Sequence, residues 1–103
     1  MERILQLKEY LKESPNDNFL KHALALEFIK QGNDAAEKEW FDLNLNETPQ
    51  YIPTYYHLGK LLERTGNVTD AIRIYEQGME QAKVAGDQHA FSELRSVYEE
   101  LTF

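Results

Sequence analysis

The sequence predicts an all-α fold, a short α-solenoid in which six helices stack as antiparallel pairs. Three observations predict this fold. Residues of matching class recur at a fixed interval, which indicates a stacked helical repeat. Within each interval the apolar residues follow helical spacing, and no segment has the pattern of a strand. The chain has 103 residues, 42% of them hydrophobic, which is enough for one continuous core but not for two.

The repeat interval is 34 residues. Chance would not readily produce so many matches in a chain of this length. They predict one repeat over residues 18–51 and a second over residues 52–85. The matched pairs are Pro15 with Pro49, Leu24 with Leu58, Ala25 with Gly59, Phe28 with Leu62, Gly32 with Gly66, Asn33 with Asn67, Phe41 with Tyr75, and Leu45 with Met79.

The segment before the first repeat predicts a helix over residues 2–13. Ser14 and Pro15 close it, because proline cannot continue a helix. The residues expected to face inward are Ile4, Leu7, Tyr10 and Leu11.

The first repeat predicts helices over residues 19–31 and 34–46. Gly32 is expected to end the first in the left-handed conformation, and Asn33 to cap the second. Pro49 marks the end of the second helix.

The second repeat follows the same plan. A helix is expected from Pro53 to Thr65, with Gly66 ending it and Asn67 with Asp70 forming a capping box. The next helix continues to Ala85, where the Gly86-Asp87 pair supplies a stop and a new N-cap.

A last helix is expected from residue 88 to 101 or 102. Its apolar stripe is Phe91, Leu94, Tyr98 and Leu101. Arg95 occupies the slot that Ala25 and Gly59 hold in the repeats, where two helices must approach closely. A large charged residue there predicts a terminal cap that ends the array and completes a domain.

These residues resemble the tetratricopeptide repeat family. The second repeat has Tyr55-x-x-Leu58-Gly59-x-x-Leu62 and then Ala71-x-x-x-Tyr75-x-x-Gly78, and the first has Leu24-Ala25-x-x-Phe28, Phe41 and Pro49. The first departs from the pattern at Lys21, where an aromatic residue is usual, and at Glu37, where alanine is usual. The resemblance implies one domain over residues 1–103, a right-handed superhelix. Its parts are a half-repeat helix (2–13), two full repeats and a capping helix (88–102).

Composition and charge exclude several classes of function. The net charge of −7 argues against a nucleic-acid partner and against an anionic membrane surface. No apolar run is long enough to span a bilayer, and the N-terminus lacks a signal-peptide pattern. The chain contains no cysteine, so no disulfide or thiolate metal site is expected. We expect a cytoplasmic protein.

The sequence also predicts a protein that is not an enzyme and needs no cofactor or metal. His22, His57 and His89 are expected at the surface or at the edge of a groove. They are not expected to share a metal site, because the repeat register pairs His57 with Ala23. Ser92 and Ser96 lie near His89 without an evident acid or oxyanion loop, so no catalytic triad is indicated.

On the helical wheel, a second face of each first helix lies away from the core stripe. The resemblance implies that this face lines a concave groove that binds a peptide or helix of another protein. Lys60 and Arg64 are one turn apart and either bind a partner carboxylate or form a solvated face. The candidate partner-binding residues are Phe19, His22, Leu26, Ile29, Tyr56, Lys60 and Arg64, with Lys30, Pro53, Glu63, His89, Ser92, Ser96 and Glu99 on the same faces.

Two functions follow from this surface. In the first, the protein is an interaction module or adaptor that binds a partner segment in the groove. In the second, an exposed apolar patch drives self-association into a homodimer. Leu26 and Ile29 bear on the choice, since they either line the groove or are buried by neighbouring helices.

Overall fold

The structure is a computed structural model that describes residues 2–103. Over these residues it contains six helices and no strand, which confirms the all-α fold class. The helices are α1 (Glu2–Glu13), α2 (Asn18–Lys30), α3 (Asp34–Glu47), α4 (Pro53–Arg64), α5 (Val68–Ala85) and α6 (Gln88–Thr102). Each lies within two residues of its predicted bounds.

The chain divides into two compact units. The first ends at Pro49, and the second runs from Gln50 to Phe103. In the first unit α2 packs against both α1 and α3; in the second, α5 packs against both α4 and α6, and α4 also contacts α6. Short turns join the packed helices, so neighbours run antiparallel.

The core of the first unit joins α1 to α2. Ile4, Leu7 and Leu11 of α1 are buried with Leu24 of α2. Tyr10 was expected to face inward, and this prediction is wrong, because half of the residue (50%) is exposed. Since α1 packs chiefly against one helix, its buried stripe is narrow, and Tyr10 lies about a quarter turn outside it.

In the second unit, α4 and α5 approach closely at a glycine. A Cβ atom on Gly59 would lie 2.1 Å from Cε1 of Tyr75, whose side chain is fully buried. A Cβ atom on Gly78 would lie 2.6 Å from Cβ of Tyr55 and 3.0 Å from Cδ1 of Leu94 on α6. The structure therefore confirms that a small residue is required where the helices of the repeat cross.

The helix ends follow the predicted chemistry with one exception. Gly32 and Gly66 end their helices with φ of 68° and 83°, and the Asn33 side chain accepts a hydrogen bond from the Ala36 N–H. The capping box expected at Asn67 and Asp70 is wrong. Asn67 instead donates its side-chain amide to the Thr65 hydroxyl, and Asp70 pairs with the Arg73 guanidinium at 3.0 Å.

The residues that depart from the repeat pattern place buried polar side chains in the first unit. Three polar residues are buried here: Lys21, Glu37 and Asn44. In the 34-residue register they correspond to Tyr55, Ala71 and Gly78 of the second repeat, in that order. The Lys21 ammonium donates to both carboxylate oxygens of Glu47, at 2.8 and 2.7 Å. An ion pair at the end of α3 therefore compensates the burial of a lysine where an aromatic residue is usual.

The other repeat-signature residues differ in exposure. Phe28 is half-buried, and Pro49 is exposed directly after α3. Gly32 and Gly66 are exposed at the helix ends. The other members are buried: Leu24, Ala25, Phe41, Tyr55, Leu58, Gly59, Leu62, Ala71, Tyr75 and Gly78.

Candidate functional site

A groove runs between α4 and α6 in the second unit, and we call it the α4–α6 groove. It consists of two adjoining cavities of about 380 and 440 Å³. Both cavities are lined by Tyr56, His89 and Glu93, which lie where the two meet. The first cavity is otherwise lined by Ile52, Pro53, His57, Asp87, Ala90 and Leu94, and the second by Lys60, Ser92, Ser96, Val97 and Glu100.

The spacing of the side chains on each helix produces this groove. On α4, Pro53, Tyr56 and Lys60 recur three and four residues apart and share one face, while Leu58 and Leu62 face the core. On α6, residues 89, 92, 93 and 96 share a face by the same rule. The groove is therefore lined by the faces of α4 and α6 that the wheel predicts to lie away from the core.

The structure brings together most of the second-unit residues predicted from the sequence. Tyr56 and Lys60 of α4 line the same cavity as His89, Ser92 and Ser96 of α6. Arg64 lies further along α4, where it lines a separate surface depression with Lys60 and Glu63. Glu99 is also outside the groove, and its carboxylate pairs with Arg95 at 3.2 Å.

The floor of the first cavity is apolar and aromatic. Ile52, Pro53, Ala90 and Leu94 line it, and the half-buried Tyr56 stands between the two cavities. The Tyr56 ring meets the His57 ring edge-on, with the ring centroids 5.7 Å apart. This floor can bury an apolar side chain or the methylene stem of a longer one.

Carboxylates outnumber cations along the groove. Asp87, Glu93 and Glu100 line it, and Lys60 is the one lysine or arginine among its lining residues in the described chain. The Lys60 ammonium lies 3.7 Å from the Glu63 carboxylate, so its charge is already partly balanced.

Glu63 is in turn fixed by the core, because it accepts a hydrogen bond from the Tyr75 hydroxyl. Burial, together with this bond to a carboxylate, raises the pKa of Tyr75 well above its usual value. The Glu63 carboxylate is thereby held beside Lys60.

The two histidines of the groove differ in their surroundings. His57 is half-buried, and desolvation lowers its pKa, although the Glu93 carboxylate acts in the opposite direction. His89 is exposed, with its Nε2 3.6 Å from a carboxylate oxygen of Glu93. With a lowered pKa, His57 is mostly uncharged at pH 7, and it does not cancel the carboxylates.

The candidate residues of the first unit lie on α2 and are less uniform. Phe19 is 63% exposed and Ile29 36% exposed, while Leu26 is half-buried. His22 was expected at the surface or at the edge of a groove, and this prediction is wrong, because only 7% of the residue is exposed. Its ring packs against that of Phe41 on α3, with the centroids 5.6 Å apart, since α2 is packed from two sides.

Sequence reasoning missed part of the groove. Glu93, Asp87 and Ile52 were not among the candidates, and His57 was expected only as a surface or groove-edge histidine. The i, i+4 spacing of Glu93 from His89 is the signal that could have identified it. Asp87 and Ile52 lie just outside helix ends, where the wheel gives no direction.

Among residues 2–103, no group of three or more His, Cys, Asp or Glu side chains is arranged to hold a metal ion. No helix in the same range is both long and apolar enough to cross a membrane.

Comparisons with known proteins identify the class. A scan against protein-family models gives no match, and neither does a search of curated proteins. Solved structures do match. The crystal structure of a tetratricopeptide repeat domain protein from Salinibacter ruber is 40% identical, with a TM-score of 0.80, and the match covers 84% of this chain and 96% of that chain.

Two solution structures match as well. That of a tetratricopeptide repeat domain protein from Salinibacter ruber is 40% identical over 84% of this chain and 88% of that chain, with a TM-score of 0.81. A protein from Bordetella parapertussis is 23% identical over 96% of this chain and 86% of that chain, with a TM-score of 0.81, and it shows the fold alone.

The repeated helix pairs and the small residues at their crossings define a helical-repeat protein. The level of identity and the coverage place it more narrowly: the chain belongs to the tetratricopeptide repeat family. This confirms the resemblance found in the sequence.

Proposed function

We propose that this protein is an interaction module that binds a segment of another protein in the α4–α6 groove. Proteins of this family generally bind other proteins. The observation that carries the proposal is the pair of adjoining open cavities, which share the half-buried Tyr56, with apolar residues lining the first of them. Aromatic residues in such positions are frequent anchors of binding energy.

The dimensions of the groove favour a segment over a folded surface. Cavities of about 380 and 440 Å³ each accommodate one or two side chains. Side chains spaced along a peptide or a helix would enter both cavities in succession. A role as a non-enzymatic adaptor in the cytoplasm is part of this proposal and stays a prediction.

Self-association is the alternative, and one observation favours it. Phe19 and Ile29 expose apolar surface on α2, in the first unit. Size-exclusion chromatography with light scattering decides between the two. A homodimer that Phe19→Ser and Ile29→Ser convert to a monomer would favour assembly, whereas a monomer at all concentrations would favour the interaction module.

Selection of peptides from a displayed random library tests the main proposal. We expect the protein to enrich a peptide family whose affinity falls at least about tenfold in Tyr56→Ala, because an aromatic anchor is lost. Tyr10→Ala, which removes an exposed tyrosine from α1, is the matched control and should bind like the parent. Undiminished binding by a folded Tyr56→Ala protein would contradict the proposal.

A further inference from the structure

We propose that the occupant of the α4–α6 groove is a basic segment of a partner protein, one that carries lysine or arginine next to an apolar side chain. The inference rests on the proposed function and specifies the chemistry of the partner.

The charge of the groove is the first argument. Each cavity contains two carboxylates, with Glu93 common to both, Asp87 in the first and Glu100 in the second. Lys60 opposes them in the second cavity, but Glu63 lies 3.7 Å from its ammonium. The groove therefore attracts cations, and the net charge of −7 on the whole chain adds to that attraction at long range.

The arrangement of polar and apolar groups is the second argument. In the first cavity, the apolar floor formed by Pro53, Ala90 and Leu94 is accompanied by the carboxylates of Asp87 and Glu93. A lysine or arginine side chain has the matching form, since its methylene stem packs on apolar surface while its charged end meets a carboxylate. The Tyr56 ring adds an aromatic face on which a cation can rest.

His57 does not reverse this preference at neutral pH. Burial lowers the pKa of His57, which therefore contributes little positive charge beside Glu93. The groups that face His57 across the first cavity are Asp87, His89 and Glu93 on or beside α6, with Tyr56 next to it on α4. Two of the four are carboxylates, which a cationic side chain would meet.

An acidic occupant is disfavoured by the same geometry. A carboxylate placed near Lys60 would also meet Glu93 and Glu100, which line the same cavity, and would compete with Glu63 for the ammonium. Like charges brought together at an interface oppose binding. In the alternative hypothesis, Lys60 and Arg64 bind a carboxylate of the partner. The experiment must therefore distinguish a basic partner segment from an acidic one.

Three fluorescent peptides test the inference by anisotropy. They share one length and one set of apolar positions, and their polar positions are all lysine, all glutamine or all glutamate. We expect the lysine peptide to bind about tenfold or more tightly than the glutamate peptide, and the difference to shrink in high salt. Glu93→Gln should weaken the affinity for the lysine peptide about threefold. Glu80→Gln, which changes an exposed glutamate of α5, should leave that affinity unchanged.

The outcomes separate this inference from the proposed function. Equal affinity for the three peptides, or a preference for the glutamate peptide, overturns the inference. If Tyr56→Ala abolishes that binding, the groove is still the binding site and the proposed function stands. Failure of the lysine peptide to bind at millimolar concentration also overturns it. Tight lysine-peptide binding that Tyr56→Ala does not affect would contradict the proposed function, because the basic segment would then bind elsewhere.

Discussion

At the scale of single residues, the contact between Gly59 and Tyr75 sets how closely α4 and α5 approach. Alanine is the better helix former by about 1 kcal/mol, so Gly59→Ala would stabilise an uncrowded helix. Here its Cβ would lie 2.1 Å from the Tyr75 ring. We expect a net destabilisation of about 1–3 kcal/mol, because the helices must separate or the buried ring must move.

Chemical denaturation of four proteins measures this effect: the parent, Gly59→Ala, Tyr75→Leu and the double variant. The cost of Gly59→Ala should be clearly smaller in the Tyr75→Leu background, since the clashing ring is gone. Equal cost in both backgrounds would mean that the ring is not the obstacle.

The ion pair between the buried Lys21 and the exposed Glu47 allows a second prediction at this scale. Lys21 is only 2% exposed, so Glu47→Leu leaves a buried ammonium without its carboxylate partner. Lys21→Met removes the positive charge but keeps a side chain of similar length. We expect Glu47→Leu and Lys21→Met each to destabilise the protein. The double variant should recover part of the loss, with a coupling of about 1–3 kcal/mol by thermal or urea unfolding. Strictly additive losses would show that the pair makes no specific contribution.

Individual residues also show what the sequence could and could not predict. The 34-residue spacing placed Gly59, Tyr75 and the helix-ending glycines correctly, because these positions depend on local conformation and on the repeat register. Tyr10 and His22 were placed wrongly. Their exposure depends on how many neighbours each helix has, and a helical wheel does not contain that information.

At the scale of elements, α6 completes the groove by packing on α5. Leu94 is buried, and a Cβ atom added to Gly78 of α5 would lie only 3.0 Å from its Cδ1. Leu94 is therefore central to the contact between α5 and α6. Leu94→Ala should therefore destabilise the protein by about 2–5 kcal/mol. Val84→Ala, which shortens an exposed valine of α5, should change stability by no more than about 0.5 kcal/mol.

Calorimetry on the two variants checks this prediction. Because the groove needs α6 in place, Leu94→Ala should also weaken peptide binding at temperatures where the helix loosens. If Leu94→Ala melts like Val84→Ala, then α6 is not held by this contact, and the groove lacks its second wall.

Element bounds were predictable here for a physical reason. Glycine, proline and asparagine at the ends of the helices act through local backbone geometry and hydrogen bonds, which the sequence states directly. The groove was predictable only in part. Asp87 belongs to it because α6 lies beside α4, a tertiary contact that no local pattern contains.

At the scale of the whole molecule, the central claim is that the α4–α6 groove is the surface that recognises a partner. That proposal combines family membership, which indicates protein binding in general, with the aromatic and acidic lining of the α4–α6 groove.

Chemical-shift mapping by NMR tests this claim most directly. The isotope-labelled protein would be titrated with the lysine peptide and its backbone amides followed. The account predicts that the largest shifts fall on α4 and α6, around Tyr56, Lys60, His89 and Glu93, and that they disappear in Tyr56→Ala but not in Tyr10→Ala. Shifts confined to residues 2–49, or to the exposed side of α5 around Arg73 and Glu80, would contradict it.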